Sequence, residues 1–431
     1  MTVSKDSLTA WPTAVRLVAQ WLDRRERVDQ IMDSLPASFS GTERARCQNL
    51  VFGAIRHASR IEALLSRFIT HAPRFSTRAI LHIAGFELIE AASGQVEDGQ
   101  VAKIVHHAVE QAKTLASPAE ARLVNAVVRK LATAFHEQAP PSRLSTAAAL
   151  AEYYSHPEWL VQRWLPLYGA EATRKLLVLN QEPPPVFARW RDVTVTPPDW
   201  LKATPWATYY EVPSGRWADV EALLKTGTIY LQNPGARAAV ELLAPKADES
   251  VLDLCAAPGG KSVLIADTMK TGKLVAVDLP GSRIDRLKAN LSTVKGVDVA
   301  LIQTDLLEGG NKAFKDHDLP IGYDAVLIDV PCSNTGVMSH RVDVKWRLQA
   351  NDFPKHARQQ LALLTAASWF VGPKGRLVYS TCSIDPEENE SVVKHFMKDN
   401  AHRFELVGQN ASVPWETGHD GAGAFLFRRI I

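Results

Sequence analysis

The sequence predicts a Rossmann-like α/β domain, a doubly wound and mostly parallel sheet, preceded by a small α+β domain and an all-α domain. Three observations lead there. From about residue 236 onward, short apolar runs alternate with helical segments. Before residue 135 the apolar residues recur only at helical spacing. Two proline-rich breaks, Ala139-Pro-Pro-Ser142 and Glu182-Pro-Pro-Pro185, interrupt the chain between these regimes. The expected domains are residues 1–140, 145–235 and 236–431.

The first domain reads as helix throughout. Val15, Val18, Ala19 and Leu22 fall on one face, as do Leu50, Val51, Ala54 and Ile55. Further helices are expected over 61–70, 76–93, 100–115 and 118–135, with breakers at Pro73, Ser93-Gly94 and Ala116-Ser117-Pro118. Ser117 supplies an N-cap and Pro118 opens the helix, where its missing N–H is no loss. The second domain begins with helical stretches at 147–154 and 159–168 and passes to strand-like runs at 186–190 and 228–231. The third carries strands at 251–254, 273–277, 297–303, 325–328 and 376–380. Helices over 262–269, 283–294, 356–370 and 387–398 lie between or after them.

The 431 residues are 46% apolar and 22% charged, ordinary values for a globular protein. No run approaches the ~18 apolar residues of a membrane span. The start, Met1-Thr-Val-Ser-Lys-Asp6, lacks the basic and apolar regions of a secretory signal. Four cysteines are too few for a disulfide framework and fit a reducing cytoplasm. The histidines show no metal-ligand spacing. Net charge is only +2, but all eleven basic residues from Arg16 to Arg78 are arginines, against six acidic ones. Arginine's planar fork suits phosphate, so an RNA-binding surface and an ion-paired helical surface both fit.

Chemistry concentrates in the third domain. Gly259-Gly260 follow its first strand and precede a helix, where backbone approaches a ligand closely and free amides are on offer. Gly260-Lys261-Ser262 mimics the end of a phosphate-binding P-loop, but the glycine required five residues earlier is Cys255. The dinucleotide fingerprint is absent too. Asp278, Asp305 and Asp329 stand at or just past the ends of the next three strands, within reach of a ligand in this architecture. Carboxylates without a phosphate cradle favour a nucleoside lacking pyrophosphate, such as S-adenosylmethionine. Cys332 and Cys382, fifty residues apart, each end a strand-like run. A thiol placed there suggests covalent catalysis. Asp385-Pro386-Glu387-Glu388 reads as a capped helix start, whose dipole would favour a Cys382 thiolate. Cys47 reads as a small core residue.

Asp253-Leu-Cys-Ala-Ala-Pro-Gly-Gly-Lys261, Asp329-Val-Pro-Cys-Ser-Asn-Thr-Gly336 and Ser380-Thr-Cys-Ser-Ile-Asp-Pro-Glu-Glu-Asn389 closely resemble the RNA (cytosine-5)-methyltransferase family. The match extends to Asp343-Val-Lys-Trp-Arg347, and upstream to Ser155-His-Pro-Glu-Trp159 and Asn180-Gln-Glu-Pro-Pro184. The all-α domain is similar to NusB, an RNA-binding helical protein. The resemblance implies methylation of cytosine C5 in 16S rRNA, with a tRNA target and a non-catalytic ribosome-assembly factor as the alternatives, and a cytoplasmic protein needing neither membrane nor metal, expected as a monomer. It implies that Cys255, Ala256, Ala257, Pro258, Gly259, Gly260 and Lys261 hold the methionine part of S-adenosylmethionine. Asp278 would hold the ribose, Asp305 would lie by the adenine, and Asp329 between cofactor and base, contacting cytosine N3. Cys382 would be the nucleophile and Cys332 an auxiliary for product release. In a DNA-type mechanism the nucleophile would be Cys332 instead. Two positions depart from the family pattern: Asn233 stands where aspartate is usual, and Arg341-Val342 replaces a His-Pro pair.

Overall fold

The computed structural model describes residues 5–94, 99–142, 145–317 and 319–430. Met1–Ser4, part of the segment read for a secretory signal, lie outside them. The chain forms two compact units, one of residues 1–183 with 338–348, the other of residues 184–337 with 349–431.

The first unit is helical: α1 (Lys5–Arg24), α2 (Val28–Met32), α3 (Gly41–Arg56), α4 (Ala58–Phe68), α5 (Phe75–Ser93), α6 (Gln100–Leu115), α7 (Pro118–Glu137), α8 (Ala147–Tyr153) and α9 (Glu158–Leu179). The apolar stripes read from the sequence make its core. Val15, Val18 and Leu22 of α1 are buried in one cluster with Leu50, Val51, Ala54 and Ile55 of α3. Helix α5 buries residues all round, as a central helix must. Ser117 accepts from the Glu120 N–H with Pro118 at the first position, as expected. Ser40 and Glu43 form a full capping box at α3.

Residues 338–348 complete this unit. Val342 joins the helical core, and Trp346 Nε1 donates to Ile55 O at 2.8 Å. Lys345, 1% exposed, donates from Nζ to Arg56 O at 2.9 Å. Burial, with the Arg56 guanidinium nearby, holds this lysine well below its usual range. Burial also pushes His57 and His156 far down, with the Lys345 charge adding to it.

The second unit contains two sheets. Strands β1 (Phe187–Trp190), β2 (Lys202–Ala203), β3 (Tyr209–Glu211) and β4 (Ile229–Leu231) form a small antiparallel sheet in the order β2-β3-β1-β4. Helices α10 (Trp217–Lys225) and α11 (Arg237–Leu243) flank β4 in the chain. The large sheet holds β5 (Ser250–Leu254), β6 (Lys273–Asp278), β7 (Asp298–Gln303), β8 (Tyr323–Asp329), β9 (Val371–Thr381), β10 (Phe404–Ser412) and β11 (Ala422–Arg429), in the order β10-β11-β9-β8-β5-β6-β7. Its first five strands pair in parallel, and β10 and β11 close one edge antiparallel. Helix α12 (Gly260–Met269) connects β5 to β6, and α13 (Ile284–Leu291) connects β6 to β7. The chain runs outward from β5 on one side and resumes at β8 on the other. The crevice at the carboxyl ends of β5 and β8 is therefore the topological switch point where ligands bind in open α/β sheets. No helix among the described residues is long and apolar enough to cross a membrane.

Candidate active site

The turn from β5 into α12 occupies that switch point. Gly259 takes φ +106°, a conformation side chains rarely adopt, and leads into the first turn of α12. The sequence assigns both glycines to ligand approach. The structure adds a second reason: a Cβ on Gly259 would meet Leu287 at 2.9 Å, and one on Gly260 would meet Gln232 and Tyr230 at 3.3 and 3.4 Å. Asp253 is sealed beneath the turn. Ser262 Oγ donates to its Oδ2, its Oδ1 has no partner among the described residues, and burial pushes its carboxyl up to about 7.

Asp278 ends β6 and is 5% exposed; its Oδ2 accepts from the Ala257 N–H and its Oδ1 from the Leu279 N–H, both at 2.8 Å. It ties the β5–α12 turn to the end of β6. Asp305, two residues past β7, accepts the Leu307 N–H at 2.8 Å. Asp329 ends β8, where Lys261 Nζ reaches Oδ2 at 2.7 Å and Ser380 Oγ donates to Oδ1 at 2.9 Å. Burial alone would pull the Lys261 ammonium down. Asp329 outweighs it and, with Cys382 and Asp253, holds the lysine above its usual value.

The two thiols predicted to converge do so: Cys332 Sγ and Cys382 Sγ are 3.2 Å apart. The Cys382 thiol donates to Asn334 Oδ1 at 3.3 Å, and Asn334 Nδ2 donates to Cys332 O at 2.7 Å. Asn334 has φ +60°, which asparagine tolerates better than most residues. Cys332 is buried, and its contact with Cys382 together with burial pushes its thiol well up. Burial raises the Cys255 thiol as well. Cys47 is fully buried in the helical core, its thiol pushed up to about 11 by burial.

One expectation fails. Asp385–Glu388 do not start a helix; the helix begins at Glu390, with no side-chain cap from Asn389. Glu388 is fully buried instead and ties the two cysteine loops together. Its Oε1 accepts from the Ser333 N–H at 2.8 Å and from Gln360 Nε2 at 3.0 Å, and its Oε2 from the Ser333 and Ser383 hydroxyls. The four donors hold the Glu388 side chain inside, and the helix starts eight residues after Cys382. Sequence reasoning missed Glu388 and Asn334 as site residues, although both sit in the quoted motifs. Gly336 packs against this arrangement: its N–H donates to Cys382 O at 3.0 Å, and a Cβ would lie 2.4 Å from Gly421 O. Among the described residues no group of three or more His, Cys, Asp or Glu side chains is placed to hold a metal.

The arginine cluster in the first unit is engaged internally. Arg46 pairs with Glu87, Arg67 with Glu152, Arg74 with Glu120 and Arg78 with Glu62; Arg24 and Arg27 pair with acids close in sequence. Arg56 is buried, and Arg60 lies over the Tyr153 ring. The exposed cations without a carboxylate partner among the described residues include Arg122, Arg129 and Lys130, all on the outer side of α7.

Among known proteins, the family of 16S rRNA methyltransferases RsmB/F matches residues 240–421, and the NusB family matches residues 10–133. Ribosomal RNA small subunit methyltransferase B of Serratia proteamaculans is 27% identical over 96% of both chains. Its counterpart in Escherichia coli O127:H6 is 28% identical over 90% of both. The crystal structure of PH0851 covers 99% of each chain with a TM-score of 0.75 at 21% identity. That of NSun6 from Pyrococcus horikoshii with SFG covers 64% of this chain and 98% of its own, with a TM-score of 0.54 at 20% identity. These two structures match in fold.

Proposed function

We propose that this chain, matched by the RsmB/F methyltransferase family over residues 240–421 and by the NusB family over residues 10–133, methylates C5 of a cytosine in 16S rRNA through a covalent bond from Cys382 to C6. The observation that carries this reading is the thiol pair, 3.2 Å apart, at the end of the strand adjoining Asp329 and its partner Lys261.

S-adenosylmethionine supplies an electrophilic methyl group. The residues fit it: free amides at the start of α12, and carboxylates at Asp278 and Asp305 toward ribose and adenine. The protein must then make C5 nucleophilic. Once the Cys382 thiolate bonds to C6, the C5=C6 double bond opens into an enamine, and C5 would take the methyl as the sulfonium leaves as a neutral thioether. A base then takes the C5 proton, the double bond reforms, and the C6–S bond breaks to return the thiolate. Asp329, tied to Lys261 of the β5–α12 turn and to Ser380 ahead of Cys382, would serve cytosine N3 as the carboxylic acid, giving N3 the proton that the enamine requires. Accessibility favours Cys382 as nucleophile, since Cys332 is buried and Cys382 is half-buried. The outer side of α7, with Arg122, Arg129 and Lys130, offers cations for rRNA phosphate.

Denaturing gels of cysteine variants with RNA and cofactor test the chemistry. Cys382→Ala should form no adduct and no product, whereas Cys332→Ala should accumulate protein–RNA adducts. An adduct through Cys332 that persists without Cys382 refutes the assignment. Bisulfite sequencing of total RNA with and without the gene tests the target; a mark lost from tRNA with 16S rRNA unchanged refutes it.

A further inference from the structure

We infer that the small four-stranded sheet is a positioning platform for the cofactor turn, acting chiefly through Gln232. The inference rests on the methyltransferase reading above and deepens it, because it assigns control of S-adenosylmethionine affinity to residues lying behind the turn.

Gln232, the residue after β4, is held at both the oxygen and the nitrogen of its side-chain amide. Its Oε1 accepts from Arg189 Nε at 2.9 Å and from the Tyr209 hydroxyl at 3.1 Å. Its Nε2 donates to Gly260 O at 3.0 Å. The orientation is fixed by chemistry: a flipped amide would set its N–H groups against Arg189, which can only donate, and its oxygen against a carbonyl. The first carbonyl of α12 is thus held by a side chain of the small sheet. A second contact holds the residue before Gly259: Asn290 Nδ2 donates to Pro258 O at 2.7 Å and to the Tyr230 hydroxyl of β4 at 3.0 Å.

The far end of α12 is held from the same sheet. Arg191 makes a bidentate pair with Asp267, its Nε and Nη2 each within 2.9 Å of one carboxylate oxygen. Arg189 Nη1 reaches Asp267 Oδ2 at 2.8 Å, and Arg189 is 3% exposed. Two arginines, one in β1 and one just past it, therefore grip the helix near its C-terminal turn, while Gln232 grips its first residue. A helix held at both ends presents its N-terminal amides in one orientation, which is what a ligand at that terminus requires. None of these side chains needs to touch the cofactor. They are positioning residues.

Gln232→Glu isolates the contact. The carboxylate still accepts from Arg189 and Tyr209, but its second oxygen now opposes Gly260 O instead of donating to it. Titration calorimetry on the full chain should show S-adenosylmethionine affinity falling about three- to tenfold, the equivalent of one lost hydrogen bond. The thermal midpoint, KM for RNA and kcat at saturating cofactor should stay close to wild type. Asn290→Asp, which loses the donor to Pro258 O, should shift cofactor affinity the same way and serves if Gln232→Glu folds poorly. Wild-type cofactor affinity in both variants overturns the platform while leaving the methyltransferase reading intact. So does a defect confined to KM for RNA. A wild-type chain that takes up no S-adenosylmethionine overturns the reading, and the platform with it.

Discussion

Replacing Glu388 separates a structural tie from a proton-transfer group. The carboxylate is wholly buried and accepts four hydrogen bonds, two on each oxygen. The donors on Oε1, the Ser333 N–H and the Gln360 amide, cannot reverse. Those on Oε2 are the Ser333 and Ser383 hydroxyls, which can rotate to accept. In Glu388→Gln the side-chain oxygen can take the Oε1 place and the new NH2 can donate to both hydroxyls. The cost is the charge assistance alone, about 1–2 kcal/mol. In Glu388→Ala both fixed N–H donors lose their partner in a sealed site, and the loss should be about 3–5 kcal/mol. Urea unfolding of the two variants reads this difference directly. Single-turnover methyl transfer should follow the same order. The glutamine variant should retain most of the rate, and the alanine variant should lose it as Ser333 and Ser383 drift with their neighbouring cysteines. Equal destabilisation by both changes, or an alanine variant within about 1 kcal/mol of wild type, refutes the network argument. Full inactivation by Glu388→Gln at wild-type stability would instead identify Glu388 as a proton carrier.

Three further outcomes are expected. Asp278→Ala removes an acceptor for the ribose and leaves the Ala257 N–H unpaired, so S-adenosylmethionine binding should weaken by about 1.5–3 kcal/mol; unchanged affinity by calorimetry refutes the assignment. Lys345→Met replaces a buried amino group whose hydrogen bond goes to a backbone carbonyl, not a carboxylate, and should stabilise the chain by about 1–3 kcal/mol at neutral pH. Because the folded-state pKa of Lys345 lies below the unfolded one, wild type recovers stability as pH rises from the folded value toward the unfolded one, and the variant's advantage should shrink there; a variant less stable than wild type in thermal melts at pH 7 overturns this. Neutralising Arg122, Arg129 and Lys130 together should flatten the salt dependence of rRNA binding by about 0.7–0.9 log units per lost phosphate contact, whereas neutralising the ion-paired Arg24 and Arg27 should not; equal slopes for the two variants remove α7 from the RNA surface.

Features governed by local rules are legible in the sequence. The stripes on α1 and α3, the Ser117 cap and the five parallel strands follow from spacing and from residues adjacent in the chain. So do the meeting of Cys332 with Cys382 and the order of Asp278, Asp305 and Asp329, because strand ends in such a sheet share one edge. What escapes depends on partners far apart in the chain. Glu388 reads as part of a helix start because its donors, Ser333 and Gln360, lie 55 and 28 residues away. The choice between phosphate-binding and ion-paired arginines stays open in the sequence because partner acids such as Glu87, Glu120 and Glu152 come later in the chain. Strands β10 and β11 go unread because a parallel α/β pattern gives no cue for an antiparallel edge.

The two departures from the family pattern can be weighed on the same terms. Asn233 Oδ1 accepts from the Gly235 N–H at 2.9 Å and from the Asp420 N–H at 3.1 Å. An aspartate would accept both bonds equally well, so asparagine keeps the local turn at one charge less. Val342, where a proline is usual, is 1% exposed in the helical core, and apolar volume is what that position uses. The residues proposed for the chemistry follow the motifs, while Asn233 and Val342 fall at positions whose backbone bonds and packing accept either residue.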